Sequence, residues 1–230
     1  MKRALLPLTA SALLLAGCGS SGGSTTVSPD QAMATAKQKL DATSGVEVSL
    51  KASADPGVDY LQAADGTIVA NPPAFQGTVA GRVSGLSDSG VDVISVGGKL
   101  WINVPILGWT DQYSAKSLCA PDPANLLDPN SGVSDLLTSA TDLTAGKSER
   151  DTTDASIVIT PYSGKESADA IKKVLPCANG DSFDATFDIA SDGSLRSAAL
   201  TGSFFPGASP ITYTIDITKY DVTKDIKAPK

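Results

Sequence analysis

Apolar and polar residues alternate with a period of two through most of this chain, and that limits what it can fold into. Val46, Val48, Leu50 and Ala52 are interleaved with Glu47, Ser49 and Lys51. Phe183, Ala185, Phe187 and Ile189 alternate with Ser182, Asp184, Thr186 and Asp188, and Ile211, Tyr213, Ile215 and Ile217 with Thr212, Thr214, Asp216 and Thr218. Successive side chains of a strand point to opposite faces, so such runs bury one face and wet the other, as in an antiparallel sheet covered on one side. Further strands are expected over 58–70, 75–84, 91–96, 99–104, 143–150, 155–161 and 195–203. Asp65-Gly66, Gly97-Gly98 and Asp192-Gly193 are the expected hairpin turns. About ten strands in one wet-faced sheet have to curl.

Helices would fill the concave side. Ser28-Pro29-Asp30-Gln31 is a helix start, with a hydroxyl N-cap, proline at the first position and Gln three residues on. Met33, Ala36 and Leu40 follow at helical spacing, and Gly45 ends the segment. A second helical region is expected over 122–143, interrupted at Asp128-Pro129-Asn130-Ser131-Gly132, and a third over 163–175, stopped by Pro176. The expected fold class is α+β: one domain, about 28–230, built on a strongly curved antiparallel sheet with helices on its concave face.

The N-terminus says where such a body works. Met1-Lys2-Arg3 is followed by an apolar run from Ala4 to Ala16, the layout of a secretory signal too short to span a bilayer comfortably. It ends in Leu15-Ala16-Gly17-Cys18, which resembles the bacterial lipobox at all four positions. Residues 1–17 are then a signal peptide, and Cys18 carries a diacylglyceryl group as the mature N-terminus. Gly19-Ser20-Ser21-Gly22-Gly23-Ser24-Thr25-Thr26, within the segment 18–27, has the composition of a flexible linker. Cleavage removes Lys2 and Arg3 and moves the net charge from −7 to −9. Anionic headgroups repel such a body, so acyl chains must hold it at the cytoplasmic membrane, on the extracytoplasmic face. The anchor does the holding.

Two cysteines remain, Cys119 and Cys177, an even pair in an oxidising space. A bridge would close a loop of about 58 residues and contribute roughly 4 kcal/mol in the chain-entropy reading. Two buried thiols are the alternative. Either way, two cysteines without a histidine make a poor metal site, and no cofactor is expected.

Histidine is absent altogether, which removes the usual general base and the Ser-His-Asp and Cys-His arrangements. Net negative charge with no basic run argues against nucleic acid. Gly146-Lys147-Ser148 ends like a phosphate loop, but Thr141 stands where that pattern needs glycine, and there is no G-x-S-x-G elbow. Most carboxylates, such as Asp184, Asp188 and Asp216, fall on wet alternates of strands. The reading is a non-enzyme.

Alternation cannot say whether the interior is packed or hollow. The order of features adds something: lipobox, linker, capped helix, strands through Asn71-Pro72-Pro73, then Gly98-Lys99-Leu100-Trp101-Ile102. After these comes Asp122-Pro123-Ala124-Asn125-Leu126-Leu127-Asp128-Pro129-Asn130-Ser131-Gly132-Val133, and the chain closes with Lys227-Ala228-Pro229. This resembles the LppX/LprAFG family of mycobacterial-type envelope lipoproteins over nearly the whole mature chain. The resemblance implies a half-barrel sheet with helices over its concave face, enclosing an apolar cavity for the acyl chains of envelope lipids or glycolipids. It also implies carriage of such lipids from the cytoplasmic membrane toward the outer envelope, with a membrane lipid exporter as a further partner. The expected lining is Val48, Leu50, Val79, Val83, Val91, Val93, Leu100, Ile102, Phe187, Tyr213 and Ile215 from strands, with Leu126, Leu136 and Leu137 from helices. For each, ordinary core is the competing role. Trp101 and Trp109 stand either at the cavity mouth or at the edge of the core. The rival function is a tethered accessory module for a transporter or sensor kinase, without lipid cargo.

Overall fold

A computed structural model describes residues 27–83, 86–118 and 120–230. Its first element is helix α1, Pro29–Ala42. The Gln31 backbone N–H donates to Ser28 Oγ at 3.3 Å and the Ser28 N–H to Gln31 Oε1 at 3.3 Å, closing the expected capping box. Ala32, Met33, Ala36 and Leu40 form its buried stripe. The helix stops before Gly45, at the extended Thr43, and Gly45 opens the first strand.

Among the described residues twelve strands follow: β1 Gly45–Ala52, β2 Tyr60–Ala70, β3 Pro73–Val83, β4 Leu86–Val96, β5 Lys99–Val104, β6 Gly108–Thr110, β7 Thr141–Ala145, β8 Glu149–Arg150, β9 Val158–Ser167, β10 Ser182–Ala190, β11 Leu195–Gly202 and β12 Ile211–Tyr220. They make one antiparallel sheet in the order β6-β5-β4-β3-β2-β1-β12-β11-β10-β9-β7, with β8 on β9. First and last strands join in the middle, where Leu50 pairs with Ile215. The outermost strands β6 and β7 are not paired with each other, so the sheet is large, antiparallel and not closed. Because every neighbour runs antiparallel, the β1–β2, β5–β6, β9–β10 and β11–β12 connections all leave from one end of the sheet, the upper rim.

Two short helices, α2 Val133–Ser139 and α3 Ala168–Val174, join α1 on one face. Met33, Leu40, Leu136, Leu137 and Ile171 pack there with Val46, Ile68, Phe75, Phe183, Phe187 and Leu195 in one buried cluster. A smaller cluster covers part of the opposite face, where Ile226 of the C-terminal tail sits on Val69, Ala74 and Ile94.

Several expectations need correction. Asp65-Gly66 is no turn: it lies inside β2, and the β2–β3 hairpin turns at Asn71-Pro72, whose peptide is cis. Gly66 is there for space, since it pairs with Gly77 beneath the Phe75 ring. A Cβ at Gly66 would lie 2.5 Å from Phe75 Cε2, and one at Gly77 2.7 Å from Cζ. The expected helix over 163–175 begins only at Ala168. Residues up to Ser167 belong to β9, because Ser163–Ser167 pair with β10, and the Ser167 side chain then accepts from Ala170 N at 3.2 Å as N-cap. The region 122–143 breaks into a 3-10 turn Pro123–Asn125, α2 and strand β7. The strand expected over 143–150 splits into β7 and β8, and that over 155–161 starts at Val158. Gly97-Gly98 and Asp192-Gly193 do turn the β4–β5 and β10–β11 hairpins. Among the described residues no helix is long and apolar enough to cross a membrane.

Candidate binding interior

The expected lining residues converge. Val48, Val93, Leu136, Leu137, Phe187 and Tyr213 are buried members of the main cluster. Leu50, Val79, Val91, Leu100, Ile102, Leu126 and Ile215 pack against it half-buried. The Val83 side chain, Cys18 and Cys119 lie outside the described residues. Period two explains the convergence, because the strand members occupy the face turned to the helices.

Packing fills part of the space in which the wide cavity is expected, while Leu50, Val79, Val91, Leu100 and Ile102 on the same face stay half-buried. Met33, Leu40, Leu137 and Ile171 are fully buried between the helices and the sheet. One apolar hollow on this side measures about 50 Å³, against roughly 300 Å³ at the small end of ligand pockets. Apolar side chains facing a void lose dispersion contacts, which favours short helices settled against the sheet. A larger groove of about 510 Å³ lies outside, at the sheet edge, between Val91, Asp92, Asn103 and the β5–β6 turn.

The small hollow sits at the upper rim. It is lined by Leu61 from β2, Leu118, Leu175 and Ala178 near α3, Phe204 and Phe205 from the β11–β12 connection, and Tyr213. Phe204 is the pivot: its ring lies 4.8 Å from Phe183 and meets Tyr213 edge-on at 5.0 Å. Tyr213 Oη donates to the Leu61 carbonyl at 2.8 Å, tying β12 to β2 across β1. Burial pushes that phenol upward, with nearby Tyr60 adding to the shift. Phe204 and Phe205 escaped the sequence reading because they follow β11 in a connection without alternation. Two adjacent aromatics in a chain with 5% aromatics are the signal that marks them.

The proline-rich segment is a clamp. Asp122 caps the 3-10 turn by accepting from Ala124 N at 3.1 Å, and its Oδ1 accepts from the buried Ser95 hydroxyl of β4 at 2.7 Å. Asp128 does likewise for the next turn, accepting from Asn130 N at 2.8 Å and Ser131 N at 3.1 Å. Lys37 of α1 donates to the Pro129 carbonyl at 2.6 Å. The segment thereby delivers Leu126 and Leu127 to the core and holds α2 beside α1.

Trp101 and Trp109 stand on the other face, with Val69, Ala74, Ile94 and Val96, and so belong to edge packing rather than the mouth. One buried polar group is a carboxylate set against the end of α2. Glu166 of β9 is 1% exposed, its Oε2 accepts from Ser139 Oγ at 2.9 Å, and its Oε1 has no partner. Burial, with a smaller push from Asp135, raises this carboxyl to about 7 despite the Ser139 bond.

Comparison with solved structures gives the same fold twice. LprF from Mycobacterium bovis superposes with a TM-score of 0.71 at 12% identity, covering 87% of this chain and 96% of that one. LppX from Mycobacterium tuberculosis gives 0.64 at 20% identity, covering 86% and 98%. No curated protein sequence matches. The family model of the LppX_LprAFG lipoproteins matches residues 28–228, essentially the whole body described above. The chain therefore belongs to the LppX_LprAFG lipoprotein family.

Proposed function

We propose that this protein is a membrane-tethered carrier that shelters the acyl chains of envelope lipids or glycolipids between its sheet and its helices. One observation carries this reading. Every candidate lining side chain that the structure describes joins one apolar cluster, and that cluster reaches the surface at the aromatic hollow under Phe204. An acyl chain entering there displaces the short helices α2 and α3 and replaces their contacts with its own. Each sheltered methylene contributes about 0.8 kcal/mol, so a dozen offset the contacts given up. No catalytic group takes part. In this reading Cys18 carries the acyl anchor, residues 1–17 are removed on export, and Cys119 bridges Cys177.

The packed cluster beneath the helices favours a second reading, a tethered accessory module without cargo. Mass spectrometry of an organic extract of the purified protein separates the two. Stoichiometric lipid supports the carrier, and lipid-free protein supports the module. Alkylation of the protein without reductant reads the bridge, and the mass of the N-terminal peptide reads the anchor.

A further inference from the structure

Two aliphatic side chains project at the upper rim. Ile106 is 105% exposed and Leu107 83%, at the turn between β5 and β6. The turn closes by a bond from Leu107 N to the Val104 carbonyl at 3.2 Å, with Pro105 and Ile106 between. Ile106 holds φ at 71°, the third position of a four-residue turn, where positive φ ordinarily selects glycine. A β-branched residue there is strained, and nothing in the fold repays it, since the side chain touches water. Strain kept at a fully exposed apolar side chain points to a partner outside the chain.

We infer that the Ile106–Leu107 tip inserts into the bilayer and sets the upper rim against it. Two projecting side chains are too small for a protein interface, which needs about 1,000 Å² in total, but they suit hydrocarbon. The flanking groove mixes Asp92 and Asn103 with Val91, Val104 and Pro105, so no broad apolar surface extends the tip. Their position fits the same partner, because the β5–β6 turn leaves from the end of the sheet that holds the hollow under Phe204. The tether fits too: from Cys18 to Pro29 the chain spans at most about 40 Å when fully extended, so an anchored body stays within reach of the surface. Insertion is hydrophobic, not electrostatic, given the acidic body. This inference rests on the carrier reading for its purpose and on the anchor for proximity, but not on cargo for its test.

The full-length lipidated protein, reconstituted in phosphatidylcholine vesicles with brominated acyl chains, provides that test. In L107W the added indole emission shifts to the blue and is quenched, over the background of Trp101 and Trp109, and the effect persists in high salt. I106S/L107S transfers lipid between vesicles at least tenfold more slowly while its extract holds the same lipid. Emission of L107W that stays unshifted and unquenched overturns the inference. So does a self-association, seen by sedimentation without vesicles, that I106S/L107S abolishes, because the tip then meets a second copy. Quenching without lipid in the extract sinks the carrier reading alone.

Discussion

Glu166 Oε2 and Ser139 Oγ meet at 2.9 Å where the end of α2 lands on β9, and the other carboxylate oxygen faces the interior without a partner. Burial raises this carboxyl from 4.5 to about 7. Between those values the folded chain holds a proton that the unfolded chain has released, so stability falls as pH rises through this window. The drop attributable to Glu166 is at most about 3 kcal/mol. E166Q removes that slope and is the more stable protein at pH 8. Urea denaturation of both proteins at pH 4.5, 6 and 8 checks it, and parallel curves refute it.

Asp151 and Arg196 form the opposite case. The pair meets at 2.9 Å with side chains 7% and 11% exposed. Burial would raise Asp151, but hydrogen bonds from Thr153, Arg196 and the backbone of Thr153 and Asp154 hold it at about 2. D151N leaves the guanidinium buried without its partner and costs about 3 kcal/mol at pH 7. D184N, which breaks the exposed pair with Lys165, changes stability by about 0.5 kcal/mol or less. Equal urea midpoints for the two variants would contradict this.

At Gly77 a Cβ would lie 2.1 Å from the Asp65 carbonyl and 2.7 Å from the Phe75 ring. G77A forces β2 and β3 apart or tips the ring out of the core. The expected loss is about 3 kcal/mol, as for overpacking that also moves backbone. Calorimetry reads it as a Tm lower by several degrees, and an unchanged Tm refutes the close fit.

Val79 packs half-buried against the main cluster, between Ala64 and Val91. V79W fills the path that cargo would take toward the sheet without removing any existing contact. The expectation is a folded protein whose organic extract has lost most of its lipid. Undiminished lipid in folded V79W counts against the path.

Leu137 is fully buried beneath α2. L137A removes packing worth about 2–5 kcal/mol and leaves apolar volume where an acyl chain would go. Lower stability together with tighter binding of a fluorescent fatty acid is expected. Weaker binding would place the cargo elsewhere.

Much of this was legible in the sequence because one face of the sheet is wet. In Phe183–Ile189, where alternation was clean, the buried set followed directly. The capping box at Ser28 and the glycine turns at Gly97-Gly98 and Asp192-Gly193 were local and therefore readable. What escaped was set by distant partners. Ser163–Ser167 shows no apolar alternation, and pairing with β10 decides its state. Gly66 reads as a turn until the Phe75 ring above it is known. The size of the interior space was illegible for a similar reason: alternation tells which way a side chain points, not how far away the opposite wall stands.

That distance is not built into the backbone. In a closed barrel, strand number and stagger together set the bore. Here β6 and β7 never meet, so no ring of hydrogen bonds dictates a girth. The two wings join at the β1–β12 seam, and their separation is set by the side chains packed between them.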